Sequence, residues 1–124
     1  MDSKDDLYFV KKIIDDLEFI INHTKNKTID EIKENELLVD SIMFRIIQIS
    51  ENDNRLSNTF KIENSSIPWA AIKGMRNKIV HDYAIINFEI VYDTIFVGIP
   101  RMYNTLLELL QQKTAWLAVF LYIF

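Results

Sequence analysis

The sequence predicts an all-α protein, an antiparallel bundle of four to five helices. Glycine and proline occur only twice each in 124 residues, too rarely for the many tight turns of a β-sandwich or barrel. Apolar residues recur at three- and four-residue steps through most of the chain, which is the spacing of one helix face. The length is that of one domain, and a hydrophobic fraction of 49% supplies a core.

The first predicted helix runs from Asp5 to Asn22, with charged residues between its apolar positions. Its apolar positions are Tyr8, Phe9, Ile13, Ile14, Leu17, Ile20 and Ile21. A polar break follows at 23–28. Thr28 and Glu31 have the spacing of a capping box, either for a short helix or for the start of the next long one.

A second long helix is predicted from Leu37 through Ile49, where the apolar positions keep helical spacing. Leu56 and Phe60 extend the same apolar face through a more polar stretch. The segment 64–68 is the clearest loop, and its proline suits the first turn of a helix because the missing N–H would have no helical partner there.

The second half of the chain predicts two more helices. One begins near Trp69, and its inward positions are Ile72, Ile79 and Val80. The last helix opens at Asn87 and is bent where Gly98 and Pro100 interrupt its hydrogen-bond ladder. Its apolar side comprises Ile90, Val91, Ile95, Met102, Leu106 and Leu109.

Composition excludes several classes of site. The chain has no cysteine, which rules out disulfides, thiolate zinc sites and a cysteine nucleophile, and its two distant histidines argue against a metal centre. We therefore expect no metal and no cofactor. A net charge of -4 gives no general nucleic-acid footprint, so any RNA site must be local. The acidic N-terminus lacks the features of a secretory signal, which predicts a cytoplasmic protein.

One stretch carries a recognisable pattern: Arg76 and Asn77, then His81, then Tyr83, in the form Arg-Asn-x3-His-x-Tyr. It resembles the Arg-x4-His-x-Tyr motif of the HepT-like ribonucleases in the HEPN superfamily. Three flanking segments resemble the same family in the same order, namely 67–69, 87–92 and 99–100. The resemblance covers roughly residues 5 to 112 and is far more specific than the motif alone.

The resemblance implies a HEPN bundle over residues 1–112, followed by an apolar tail at 113–124 that is not an independent domain. It further implies a homodimeric, metal-independent endoribonuclease toxin. The expected partners are RNA and a cognate MNT-type nucleotidyltransferase antitoxin, which would silence the toxin by attaching AMP to Tyr83. A phosphate-bearing group two residues from His81 would oppose an incoming RNA phosphate.

The residue types suit RNA cleavage by the ribose 2′-hydroxyl. His81 can exchange protons near neutral pH, and Arg76 can hold two phosphate oxygens through its planar fork. Asn77 can orient the phosphate or the imidazole. Lys73 and Lys78 are candidates for contacts with RNA phosphates, although surface lysines are usually only solvated.

The spacing of the motif raises a geometric problem. Residues five apart on a regular helix differ by about 140° around its axis, so Arg76 and His81 do not converge within one chain. Either the helix loosens near Val80, or two copies of the motif meet across a dimer axis. The family resemblance implies the second arrangement.

Two features depart from the family pattern. Glu51 aligns with an acidic position of the middle helix and is a candidate supporting residue that binds Arg76 or steers His81, but its neighbours are polar rather than small. The uncharged tail 114–124 is too short to span a bilayer. It can cover a groove on its own subunit, seal an oligomer interface or lie in a membrane interface, and burial against protein is favoured.

Two other functions compete with ribonuclease activity. A non-catalytic HEPN module would use the same cleft to hold a nucleotide or RNA, or would serve as the helical partner of a nucleotidyltransferase. A membrane-peripheral protein led by the tail is disfavoured, because a net charge of -4 is repelled by anionic lipid.

Overall fold

The computed structural model describes residues 4–81 and 88–123, apart from the side chains of 4, 79–81, 88, 116, 117 and 120. Within these ranges all regular structure is helical, which confirms the all-α prediction. The α-helices are α1 (Lys4–Thr24), α2 (Ile29–Glu34), α3 (Glu36–Arg55), α4 (Asn58–Glu63), α5 (Trp69–His81), α6 (Phe88–Asp93) and α7 (Ile99–Ile123). Four long helices, α1, α3, α5 and α7, alternate with three six-residue helices.

Helices α1 and α3 form an antiparallel pair. Near the start of α1, the Asp6 carboxylate accepts hydrogen bonds of 2.8 Å from the backbone N–H and the hydroxyl of Ser57, just beyond the end of α3. Near the middle of both helices, Arg45 donates to Asp16 at 2.7 Å. Later residues of α1 thus contact earlier residues of α3, so the two helices are antiparallel, as the bundle prediction requires.

Helix α7 covers another side of α1 and also runs antiparallel to it. The Tyr103 hydroxyl lies 3.3 Å from Glu18 in the second half of α1. Helix α6 contacts α2, which follows the C-terminal end of α1, so the chain enters α7 from that end. It then continues towards the N-terminus of α1.

The core is built mainly from isoleucine and leucine of the long helices, with Phe60 as its largest fully buried side chain. Its members on α1 follow the predicted spacing, except that Tyr8 is exposed. Tyr8 differs from the buried Val10 by two residues, about 160° around the helix, and this places it on the opposite face. The prediction that Tyr8 belongs to the core face was wrong for that reason.

Capping residues set the helix boundaries in the first half of the chain. Thr28 and Glu31 form the predicted capping box, and the helix that they open is the short α2. Ser57 caps α4 by accepting a hydrogen bond of 3.1 Å from the N–H of Phe60. Leu56 and Phe60 are both buried, so the apolar face continues as predicted while the helix itself is interrupted.

A π-helical turn, Thr94–Gly98, joins α6 to α7 at the predicted interruption. The buried residues Val91, Ile95 and Ile99 follow one another at four-residue steps. Each such step drifts by about 40° on an α-helix, and a wider π turn absorbs the drift. The turn therefore keeps all three side chains in the core.

Helix α7 continues through most of the apolar tail, to Ile123. The described tail side chains at 114, 115, 118, 119 and 121–123 are exposed. Their own subunit therefore does not cover them. Among the helices of the described ranges, none has the length and apolar character needed to cross a bilayer.

Candidate functional site

The start of α5 is fixed by aromatic packing against α4. The Trp69 ring lies 5.9 Å from the Phe60 ring, centroid to centroid, and its indole N–H donates to the carbonyl oxygen of Asn64 at 3.2 Å. Ile67 and Ile72, which flank Trp69 in the sequence, are both buried. A helix held by its first residues has a fixed rotation about its axis, which determines where the later motif residues lie.

Arg76 and Asn77 form a hydrogen-bonded pair on α5. The Arg76 Nη1 group donates to the side-chain oxygen of Asn77 at 3.1 Å, and both side chains are half-buried. This bond restricts the guanidinium plane and leaves its other N–H groups available. A guanidinium with a fixed plane and remaining donors is suited to a bidentate phosphate contact.

Helix α5 is a local concentration of positive charge in an acidic protein. Lys73 and Lys78 are exposed, as the RNA-contact hypothesis requires, and Arg76 lies between them in sequence. No acidic residue occurs from Trp69 to His81. An anion approaching this helix therefore meets attraction that the net charge of the chain does not reveal.

The other two motif positions are only partly described. His81 is the last residue of α5, and its side chain lies outside the description. Tyr83, the expected modification site, lies wholly outside the described residues. The backbone of α5 is α-helical as far as His81, so the helix does not loosen near Val80, which was one of the two predicted arrangements.

The middle helix presents a different acid to α5 from the one that we singled out. Glu51 is exposed on α3, whereas Asp53 is only 2% exposed. Lys61 of α4 places its Nζ atom 3.4 Å from Asp53 Oδ1, and Lys73 of α5 is close enough to influence the same carboxylate. Asp53 thus lies where α3, α4 and α5 meet.

Burial raises the pKa of the Asp53 carboxyl, and the charges of Lys61 and Lys73 oppose this rise without cancelling it. Its Oδ1 atom makes no hydrogen bond to any described residue, since the Lys61 ammonium is near enough for attraction but poorly placed for a bond. An under-satisfied buried carboxylate destabilises the folded state. Such groups often lie near functional sites.

Helical spacing alone could have identified Asp53. It lies four residues after Ile49 and seven after Ile46, on the same stripe of α3 that enters the core. The identity of its partners could not be deduced in the same way, because Lys61 and Lys73 reach it from other helices.

A mostly apolar cleft of about 540 Å³ separates the start of α5 from the start of α7. Ala71, Ile72 and Met75 line it from α5, and Met102 and Arg101 line it from α7. Asn77 lies about 120° or more around α5 from each of the three α5 lining residues. The cleft and Asn77 therefore occupy different sides of the same helix.

No group of three or more histidine, cysteine, aspartate or glutamate side chains suited to a metal ion occurs among the described residues.

Comparison with known proteins agrees with the resemblance seen in the motif. The family model described as Ribonuclease HepT-like matches residues 13–109. A protein of Caldanaerobacter subterraneus subsp. tengcongensis, provisionally named as an RNase, is 28% identical over 105 residues, covering 85% of this chain and 94% of its own. A similarly named protein of Methanocaldococcus jannaschii is 25% identical over 111 residues, covering 90% and 92%. No solved structure shows a significant match.

The raised pKa of Asp53 predicts how its replacement alters stability. Between the unfolded pKa, about 3.9, and the higher folded pKa, the folded chain holds a proton that the unfolded chain has lost. The contribution of Asp53 to the free energy of unfolding therefore falls as pH rises through this window. Relative to wild type, Asp53→Asn should gain stability over that rise, as measured by urea unfolding at a series of pH values.

Asp15→Asn is the matched control, because it removes one exposed carboxylate from α1. Its unfolding series gives the effect of removing one exposed carboxylate, against which Asp53→Asn is compared. A stability difference between Asp53→Asn and wild type that is constant with pH, or that shrinks as pH rises, contradicts the prediction.

Proposed function

Because the chain belongs to the HepT-like ribonuclease family, we propose that it is a metal-independent endoribonuclease whose site is shared between two copies. The family and the names of its relatives support ribonuclease activity. The observation that carries the proposal is the Arg76–Asn77 pair on an acid-free, cationic helix. It supplies a preorganised phosphate-binding group at the first two positions of the motif.

The chemistry requires a base, an acid and a group that stabilises charge. The ribose 2′-oxygen attacks the adjacent phosphorus as its proton passes to His81, and the bond from phosphorus to the 5′-oxygen breaks as that oxygen takes a proton from water. The products are a 2′,3′-cyclic phosphate and a free 5′-hydroxyl. Arg76 stabilises the charge on the phosphorane oxygens, and Lys73 and Lys78 hold neighbouring phosphates.

The regular geometry of α5 supports a site composed from two copies. On a continuous α-helix, positions 76 and 81 lie about 140° apart, so one helix does not direct both residues at one phosphate. Two antiparallel copies of α5 can place Arg76 of each beside His81 of the other. We therefore include a homodimer in the proposal.

Regulation by a nucleotidyltransferase antitoxin completes the proposal. The antitoxin, an MNT-type nucleotidyltransferase, would transfer AMP from ATP to the Tyr83 hydroxyl, with pyrophosphate as the leaving group. The adenylate phosphate would then lie two residues from His81 and repel the RNA backbone from the cationic site. This role makes the chain the toxin of a toxin–antitoxin pair.

Purified protein should cleave a mixed RNA substrate in excess chelator. His81→Ala should slow cleavage by about 10²- to 10⁴-fold, and Arg76→Lys should also be impaired because an ammonium cannot reproduce the bidentate contact. Cleavage rates measured on gels test this, with circular dichroism to establish that each variant folds. Folded wild type that binds RNA but does not cut it would instead favour a non-catalytic binding module.

Mixing Arg76→Ala with His81→Ala should restore activity if the site is composite. Random pairing produces heterodimers in half of the molecules, and each heterodimer contains one undamaged site and one doubly altered site. The mixture should therefore recover about a quarter of the wild-type site concentration, whereas either variant alone recovers none. Failure of a demonstrated heterodimer to cleave RNA would place both residues in one subunit or refute their roles.

Co-expression with the cognate nucleotidyltransferase should add the mass of one AMP to the chain, located at Tyr83 by mass spectrometry. Tyr83→Phe should abolish that addition and leave a toxin that the antitoxin does not silence by modification. An inactivated wild-type chain with unmodified Tyr83 would exclude this route and point to steric blocking.

A further inference from the structure

Helix α7 extends beyond the helix that supports it. Tyr103 lies beside Glu18, and α1 and α7 run in opposite directions. Because both helices rise equally per residue, fourteen residues further along each brings position 117 level with position 4, where the described part of α1 begins. The last residues of α7 therefore extend past the described part of α1.

The end of α7 is apolar, although an exposed helix is expected to be polar. Residues 114–124 contain no charged side chain. Leu121 is 68% exposed and Tyr122 is 92% exposed. A helix that is apolar on all sides is normally buried, so this segment requires a cover that its own chain does not provide.

The cleft between α5 and α7 lies at the opposite end of the same helix. Met102, which lines it, and Leu121 are nineteen residues apart on α7, about 28 Å along a continuous helix. The tail cannot reach its own cleft without breaking α7. The cleft of a second copy is within reach.

We propose that two copies of this chain pair through antiparallel α7 helices, each inserting tail side chains into the cleft of the other. The tail and the cleft lie at opposite ends of α7, with position 111 midway between them. If two α7 helices pair in antiparallel fashion with their 111 positions side by side, the tail of each copy meets the cleft of the other. The arrangement is a closed twofold dimer, and it leaves no unpaired tail to recruit a third copy.

The chemistry of the two surfaces is complementary. The cleft lining is mostly aliphatic, with Arg101 at its edge, and its volume of about 540 Å³ suits a few large side chains from one helix face. The tail contributes such side chains and has no charge to desolvate. Asn77 lies on the other side of α5 from the cleft residues, whereas Arg76 is only about 40° from Ile72 around the helix axis. The inference does not rest on ribonuclease activity.

The test is the molar mass of the full chain in sedimentation equilibrium over a range of concentrations. Leu121→Glu should weaken dimerisation by about tenfold or more, because it places a charge in a buried contact. Ala71→Glu alters an exposed residue of the cleft and should have the same effect, with Ser66→Glu as a second cleft variant should the first not fold. Leu37→Glu is the matched control, since Leu37 is an exposed hydrophobic residue of α3 that belongs neither to the cleft nor to the tail.

Mixing the tail variant with the cleft variant gives a second, independent readout. A heterodimer of Leu121→Glu and Ala71→Glu contains one unaltered tail in one unaltered cleft, so the mixture should associate more strongly than either variant alone. A simple loss of folding would not produce this recovery.

Three results would overturn the proposal. The first is a wild type that remains monomeric at all concentrations. The second is a chain truncated after Lys113 that dimerises as tightly as wild type, a result that still allows a composite catalytic dimer formed without the tail. The third is binding of the tail to phosphatidylcholine vesicles while the molar mass in solution stays that of a monomer.

Discussion

The hydrogen bonds between Asp6 and Ser57 hold together the parts of the chain on which the candidate site depends. The Asp6 carboxylate accepts from the backbone and side chain of Ser57, and the Ser57 hydroxyl also accepts from the N–H of Phe60. This junction therefore caps the start of α4 and ties the segment between α3 and α4 to α1. Phe60 packs against Trp69 at the start of α5, so the position of Phe60 helps to set the rotation of α5 about its axis.

The motif helix combines two opposite electrostatic situations. Its exposed side carries lysines beside the Arg76–Asn77 pair, without a local acid. At its contact with α3, Asp53 is buried near Lys61 and Lys73 and stays poorly satisfied. Lys73 is exposed to solvent, and its charge also acts on the buried Asp53 carboxylate. The bundle accepts a cost in stability at this junction.

Local signals in the sequence predicted several helix starts, but they did not predict that α3 ends at Arg55 and that a separate helix, α4, begins after Ser57. Thr28 and Glu31 form a capping box, the proline of the 67–69 segment lacks the N–H that a helix interior needs, and Gly98 has a low helix propensity. The burial of Asp6, Asp16 and Asp53 was not predicted, because each acid depends on partners contributed by other helices. The proposed composite site is further removed from prediction, since its geometry would depend on a second chain.

The π-helical turn at Thr94–Gly98 has a consequence for how this chain can change in length. A π turn holds one residue more than the α turn that it replaces, so deletion of one residue there would convert it to an α turn and leave both flanking helices in phase. Elsewhere in α7 the same deletion would rotate every later side chain by about 100°. Variation in length between homologues should therefore concentrate at this turn, where natural selection tolerates it most readily.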